Sequence, residues 1–245
     1  MKTIAITLAL LCISGGLFGQ STLEKTYALG PQEKLALQFD YPQLIQLRTW
    51  NKQEVLIKAR VFINGEEVRD DFKLLDSRKS GVLLIESQLE NLDKYKSQYI
   101  FIDEDIEESK NVSIKRGGKT LVFGNGKGSY HNGTRIDIEL EVFVPKEGEV
   151  EVEARYGLVE VVEMPKMLEI VATYGGADVK VAEPNLKELE VSTSWGQIFS
   201  NLTSPIQVTG GERIGEQMVA SYSASKGAES VRIKSKYGHI YLRNN

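Results

Sequence analysis

The chain has 245 residues, 41% of them hydrophobic, with 30 Lys+Arg against 34 Asp+Glu for a net charge of -4. That balance leaves no cationic excess to neutralise phosphates, which sets nucleic-acid binding aside. One Cys and two His are too few for a Cys/His zinc site or a disulfide framework, and the apolar content excludes sustained disorder.

The first twenty residues read as an address. Met1-Lys2 is a basic start, Ile4 to Ile13 (I-A-I-T-L-A-L-L-C-I) is a nearly unbroken apolar run, and Ser14 to Gly19 is rich in small residues. This is the order of a secretory signal peptide, with a predicted cut after Gly19. The run is too short for a span of ~20 apolar residues. A lipid anchor on Cys12 would need a small residue where Leu11 stands, and a buried first helix is the remaining alternative. Cleavage would remove Cys12 and leave a mature chain without cysteine. The expectation is an exported bacterial protein of the periplasm or cell surface, with no transmembrane helix in the mature chain.

Beyond the leader, period-two alternation dominates and predicts strands. Leu35, Leu37 and Phe39 alternate with polar residues, and Val55 to Ile63 does so up to an Asn64-Gly65 turn signal. Val82 to Ile85, Ile100 to Ile102 and Val112 to Ile114 are shorter strand candidates. Gln88 to Tyr95 has room for a helical turn or two, and Ile136 to Val144 alternates until Pro145. The chain reads as all-β.

From Val150 an eight-residue phrase recurs. It is V-E-V-E-A-R-Y-G at 150–157, L-E-I-V-A-T-Y-G at 168–175, L-E-V-S-T-S-W-G at 189–196 and V-R-I-K-S-K-Y-G at 231–238. Ile206 to Thr209 opens a degraded copy, and Leu44 to Asn51 (L-I-Q-L-R-T-W-N) is a looser early one. Repeats of about 20 residues, each too short to bury its own apolar face, predict a parallel β-solenoid, with a β-sandwich as the alternative. The chain then divides into the leader 1–19, an N-terminal β region 20–145 with first coils and an irregular insertion, and the repeat region 146–245. In the phrase, a small residue (Ala154, Ala172, Thr193, Ser235) allows a tight turn and an aromatic closes the corner. The Gly behind it permits positive φ or close backbone approach.

The leader, the segment T-W-N-K-Q-E-V-L-I-K-A, the run V-F-V-P-K-E-G-E-V-E-V-E-A-R-Y-G-L-V-E-V and the later Y-G repeats together resemble a bacterial "putative adhesin" family. That family is similar in turn to the head-GIN "putative autotransporter adhesins". The resemblance covers mainly 44–61 and 142–242, and 64–135 departs from it. It implies a right-handed parallel β-helix in the cell envelope with no catalytic residues to carry over.

Few constellations promise chemistry. Ser113 to Thr120 (S-I-K-R-G-G-K-T) approaches a P-loop, but Ser113 occupies the first required Gly and a strand follows, so a hairpin is expected. His131 lies in a Gly/Asn-rich loop, and His239 stands where the other copies hold Leu158, Gly176 and Gln197. Asp103-Glu104-Asp105 and Glu107-Glu108 read as a solvated loop. Glu151, Glu169 and Glu190 share one phrase position, so stacked rungs would place them in an outward column, where like charges repel unless a cation or lysines intervene. Tyr156, Tyr174, Trp195 and Tyr237 form the candidate binding row, either as a sugar platform or as corner packing that ties rung to rung.

The expected function is a non-catalytic structural or adhesion-like module of the cell envelope, using no cofactor or metal and meeting a protein or glycan at the cell surface. The alternatives are a carbohydrate-active β-helix enzyme (polysaccharide lyase or hydrolase) and a periplasmic sensory partner in envelope stress.

Overall fold

Alternating sequences with β-branched residues at inward positions favour pleated strands whose two faces separate core from solvent. The computed structural model describes residues 22–95, 97–101, 111–116, 119–124, 129–213 and 215–244, and these form strands and two short 3-10 turns. The predicted leader 1–19, with Cys12, lies outside the described residues, as does the acidic run 103–108. No helix among the described residues is long and apolar enough to cross a membrane.

The first strands are β1 (Leu23–Ala28), β2 (Lys34–Phe39), β3 (Leu44–Trp50), β4 (Glu54–Ile63), β5 (Glu66–Glu67), β6 (Phe72–Lys79) and β7 (Val82–Leu89). A single 3-10 turn, Leu92–Tyr95, is what remains of the helical pattern at 88–95. Next come β8 (Ser97–Phe101), β9 (Asn111–Arg116), β10 (Lys119–Gly124) and β11 (Ser129–Gly133). In this insertion β8 pairs antiparallel with β11 and β9 with β10, so the described residues of the P-loop-like phrase, 113–116 and 119–120, lie on paired antiparallel strands. The body resumes with β12 (Ile136–Pro145), β13 (Glu149–Ala154), β14 (Leu158–Val161), β15 (Met167–Ala172), β16 (Ala177–Val181) and β17 (Leu186–Thr193). It ends with β18 (Ile198–Ser200), β19 (Gln207–Thr209), β20 (Met218–Ser223), β21 (Glu229–Ser235) and β22 (Ile240–Asn244).

The body strands make two large mixed sheets in a sandwich-like arrangement. Sheet I has the order β1-β4-β12-β3-β14-β16-β22-β18, with β5 on β4, and sheet II the order β19-β20-β17-β21-β15-β13-β2-β7-β6. Their inward side chains merge into one core. In sheet II, Leu37, Val152, Ile170, Ile233 and Val191 form one buried column, and in sheet I, Leu47, Val161, Val179 and Leu242 form another. Each such side chain contributes ~1.5–3 kcal/mol relative to exposure. The Asn64-Gly65 signal is a turn with φ of 57° and 83°, joining β4 to β5.

The middle of both sheets is parallel. Five times the chain runs along sheet II, turns a corner and returns in sheet I, as β2/β3, β13/β14, β15/β16, β17/β18 and β21/β22. A continuous parallel β-helix, with each turn stacked on its predecessor, is not what forms. The last pair, β21/β22, lies between β15/β16 and β17/β18, and antiparallel strands flank sheet I on one side and sheet II on both. The physical reason is that β19 and β20 pair antiparallel along one edge of β17, and β21 pairs along its other edge, between β17 and β15. The degraded copy at Ile206 is therefore an edge strand and not a rung.

The looser copy at Leu44 is also displaced, because β3 belongs to sheet I and pairs with β12 and β14. The true first copy is Leu35 to Pro42 (L-A-L-Q-F-D-Y-P), whose Leu35 and Phe39 stand opposite Val150 and Ala154. The sheets run through the boundary at 145/146, since β2 and β3 pair with β13 and β14.

Glycine is needed at the corners for close approach more than for its φ. Of Gly157, Gly175, Gly196 and Gly238, only Gly157 has a positive φ, 80°. A Cβ on Gly175 would collide with the Gly157 carbonyl, one on Gly238 with that of Gly175, and one on Gly196 with that of Gly238. Gly175→Ala is expected to lower unfolding free energy by ~3 kcal/mol in urea titrations. Gly30→Ala, whose nearest neighbour would be the Glu33 Cβ at 3.4 Å, should change it little.

Candidate binding surface

Four sheet II rungs, on β13, β15, β17 and β21, end in a small inward residue, then a residue turned to solvent, then the aromatic, then the corner glycine. The strand hydrogen bonding continues into this corner. Tyr174 N–H donates to Arg155 O at 2.9 Å, Tyr237 N–H to Thr173 O at 3.1 Å and Trp195 N–H to Lys236 O at 2.9 Å. Where the small residue carries a hydroxyl it also braces the turn. Gly238 N–H donates to Ser235 Oγ at 2.9 Å, and Gly196 N–H to Thr193 Oγ1 at 3.1 Å. Both hydroxyls are buried, and both lie near the Gly238 carbonyl, Thr193 Oγ1 at 3.1 Å and Ser235 Oγ at 3.0 Å.

All four sequence-predicted site residues come together. Tyr156 and Tyr174 stack at 5.2 Å between centroids with planes 14° apart, Tyr174 and Tyr237 at 5.2 Å and 1°, and Tyr237 and Trp195 at 6.5 Å and 21°. The row follows the spatial order of the rungs, so Tyr237 precedes Trp195. Each ring nonetheless stays open to solvent: Tyr156 44%, Tyr174 54%, Tyr237 42% and Trp195 56%. Corner packing and surface presentation thus coexist, with each stacked pair contributing ~0.5–1.5 kcal/mol. Beyond Trp195, Gly215 approaches so closely that a Cβ there would lie 3.0 Å from the indole.

Sequence reasoning missed several features around this row. Arg155 and Lys236 extend over the Tyr156 and Tyr237 rings, at 5.8 and 5.3 Å from the centroids. On sheet I a second stack joins exposed Phe199 to half-buried Tyr241 at 5.1 Å and 13°, with His239 edge-on to both. His239 Nδ1 accepts from the Gln197 N–H at 2.9 Å, a structural contact between corners. Tyr41, half-buried, occupies the aromatic position of the first rung, hidden from a search keyed on Y-G because Pro42 replaces the glycine. The backbone of His131 lies in β11 opposite Tyr99.

The glutamate column differs from expectation in its order. Glu151 does stand beside Glu169, but Arg232 intervenes between Glu169 and Glu190. Its guanidinium lies 3.0 Å from Glu190 and 3.8 Å from Glu169, and Lys234 reaches Glu169 at 3.2 Å. The hydrogen bond to Glu190, with both carboxylates nearby, pushes the guanidinium above its ordinary range. A groove of about 160 Å³ crosses this face, lined by Glu149, Glu151, Glu169, Glu188 and Glu190 with Lys34 and Arg232. Lys34 pairs with Glu149. Among the described residues no group of three or more His, Cys, Asp or Glu is placed to hold a metal ion.

One carboxylate is strongly perturbed. Glu183, between β16 and β17, accepts from the Ser204 hydroxyl and from the backbone N–H groups of Thr203 and Ser204, at 2.9 and 2.7 Å. These donors, the Ser204 hydroxyl first, hold it down to about 2. They tie the segment after β18 to the segment before β17.

No family model matches the chain, and no curated protein does. A crystal structure described as "a putative cell adhesion protein from Clostridium sporogenes ATCC 15579" is similar at 12% identity, with 92% of this chain and 100% of that one covered. Its TM-score is 0.44. A likeness of that degree says nothing about what either protein binds.

Because folding lowers the Glu183 value, its stabilising contribution is complete above about pH 4.5 and is lost as pH falls toward about 2. Glu183→Gln should lower stability at neutral pH and flatten the stability-pH curve within that window, as measured by urea unfolding at a series of pH values.

Proposed function

We propose that the protein is a non-catalytic, adhesion-like binding module of the bacterial cell envelope, exported by the leader at 1–19, with the aromatic row as its contact surface. One observation carries the reading: four large rings at corresponding corners remain 42–56% exposed in an unbroken row. Contiguous exposed aromatic surface on a protein with a well-filled core marks an interaction site. The parallel rungs, a short solenoid-like block in this reading, keep the spacing rigid, because ring positions follow backbone register and not side-chain choice. The phrase therefore serves packing and recognition at once.

The acidic groove on sheet II favours a second reading, a carbohydrate-active enzyme. Against it, Glu149, Glu169 and Glu190 are each held in ion pairs within the protein. Glu151→Gln would abolish polysaccharide cleavage on the enzyme reading and leave binding intact on the first.

The test is retention on bacterial envelope fractions in a sedimentation assay. Tyr174→Ser with Tyr237→Ser should reduce the bound fraction by roughly ten-fold, a loss of ~1.4 kcal/mol. Equal retention of native and variant protein, both folded by circular dichroism, would remove the row as the contact surface.

A further inference from the structure

The way the rings are stacked restricts what they can bind. Both faces of Tyr174 are covered, by Tyr156 and Tyr237, and both faces of Tyr237, by Tyr174 and Trp195. A ligand that stacks on ring faces, whether a nucleobase or the apolar face of a sugar, therefore finds no place in the middle of the row. Nor does the row offer loose rings for insertion into a bilayer. It presents ring edges, which carry the positive end of the aromatic quadrupole. Among the described residues the hydroxyls of Tyr156, Tyr174 and Tyr237 make no hydrogen bond, so the edges also present a line of free donors.

The four corners that carry the stacked rings hold cations and no carboxylate, while Asp40 stands at the matching position of the first rung, beside Arg155 but not ion-paired with it. The four corners read Arg155-Tyr-Gly-Leu158, Thr173-Tyr-Gly-Gly176, Lys236-Tyr-Gly-His239 and Ser194-Trp-Gly-Gln197, without a carboxylate, in a chain with an excess of acid. Arg155 and Lys236 are exposed. Among the described residues neither forms an ion pair, whereas Lys34, Arg232, Lys234 and Arg243 are all paired on the sheet faces. Arg155 and Lys236 belong to rungs two strand spacings apart, ~10 Å.

Resting on the reading above, we propose that the row binds an acidic linear glycan lying across the rungs, with one carboxylate per disaccharide. Its hydroxyls meet the ring edges and phenols, and successive carboxylates pair with Arg155 and Lys236. An extended disaccharide has about the length that separates the two cations, so a single register satisfies both.

The experiment is calorimetric titration of the purified protein with a hexasaccharide of alternating glucuronic acid and N-acetylglucosamine, with cellohexaose as the neutral counterpart. The acidic hexasaccharide should bind, more weakly at raised salt, and cellohexaose should not. Arg155→Gln with Lys236→Gln should weaken binding roughly ten-fold or more at an unchanged melting temperature, while Lys180→Gln should have no effect. Equal binding of both sugars, or native-like affinity in the double variant, overturns the proposal. So does capture by phosphatidylglycerol vesicles in place of the hexasaccharide. Envelope retention that depends on the rings but is not competed by the acidic hexasaccharide overturns the glycan assignment and leaves the binding-module reading standing. Loss of both removes both.

Discussion

At the corner of each repeated rung, the backbone of one glycine rests against the carbonyl of the glycine in the neighbouring rung. Gly157 meets the backbone of Pro42 and Gln43, Gly175 meets Gly157, Gly238 meets Gly175, and Gly196 meets Gly238. That approach leaves no volume for a Cβ, so the corners nest at the spacing of the strands that enter them. Everything beside the glycine inherits this spacing. The preceding aromatic is placed directly over its counterpart, and the following strand enters sheet I already in register. Tight backbone contact thus becomes a surface row of rings.

Electrostatics follow the same backbone register. Outward positions on parallel strands stand opposite one another, so residues at one phrase position interact whatever their separation in sequence. Glu169 and Glu190 would be neighbours if the rungs stacked in chain order. The insertion of β21 puts Arg232 between them and turns a repulsive pair into an ion-paired triad. Such exposed pairs contribute little individually, ~0–1 kcal/mol. Their arrangement matters because it engages the cations of the sheet face, while the corner keeps Arg155 and Lys236 without ion-paired carboxylates.

The strands were legible in the sequence because alternation is a local signal. So was the candidate row, since the phrase repeats its aromatic at a constant offset from two inward residues. Leu35 to Pro42 lacks the signature of the repeat because Pro42 replaces the glycine, and Leu44 to Asn51 imitates a copy because its apolar spacing matches. Local pattern cannot tell which sheet a strand joins, as both sheets draw on the same alternation. The Phe199-Tyr241 stack was invisible for a similar reason: the two residues lie on β18 and β22, which pair only after the last rung has taken its place.

By itself the sequence determined the strand-rich body, the turn at Asn64-Gly65, the inward and outward faces of the long alternating strands, and the recurrence of small, aromatic and glycine residues. These are properties of neighbouring residues, set by backbone sterics and by the separation of apolar from polar groups. Only the tertiary structure decided the order of the rungs, and with it the sandwich of two mixed sheets, the place of Arg232 and the succession Tyr156, Tyr174, Tyr237, Trp195. Rung order depends on pairing between strands far apart in the chain, and such long-range pairing is not written in any one segment.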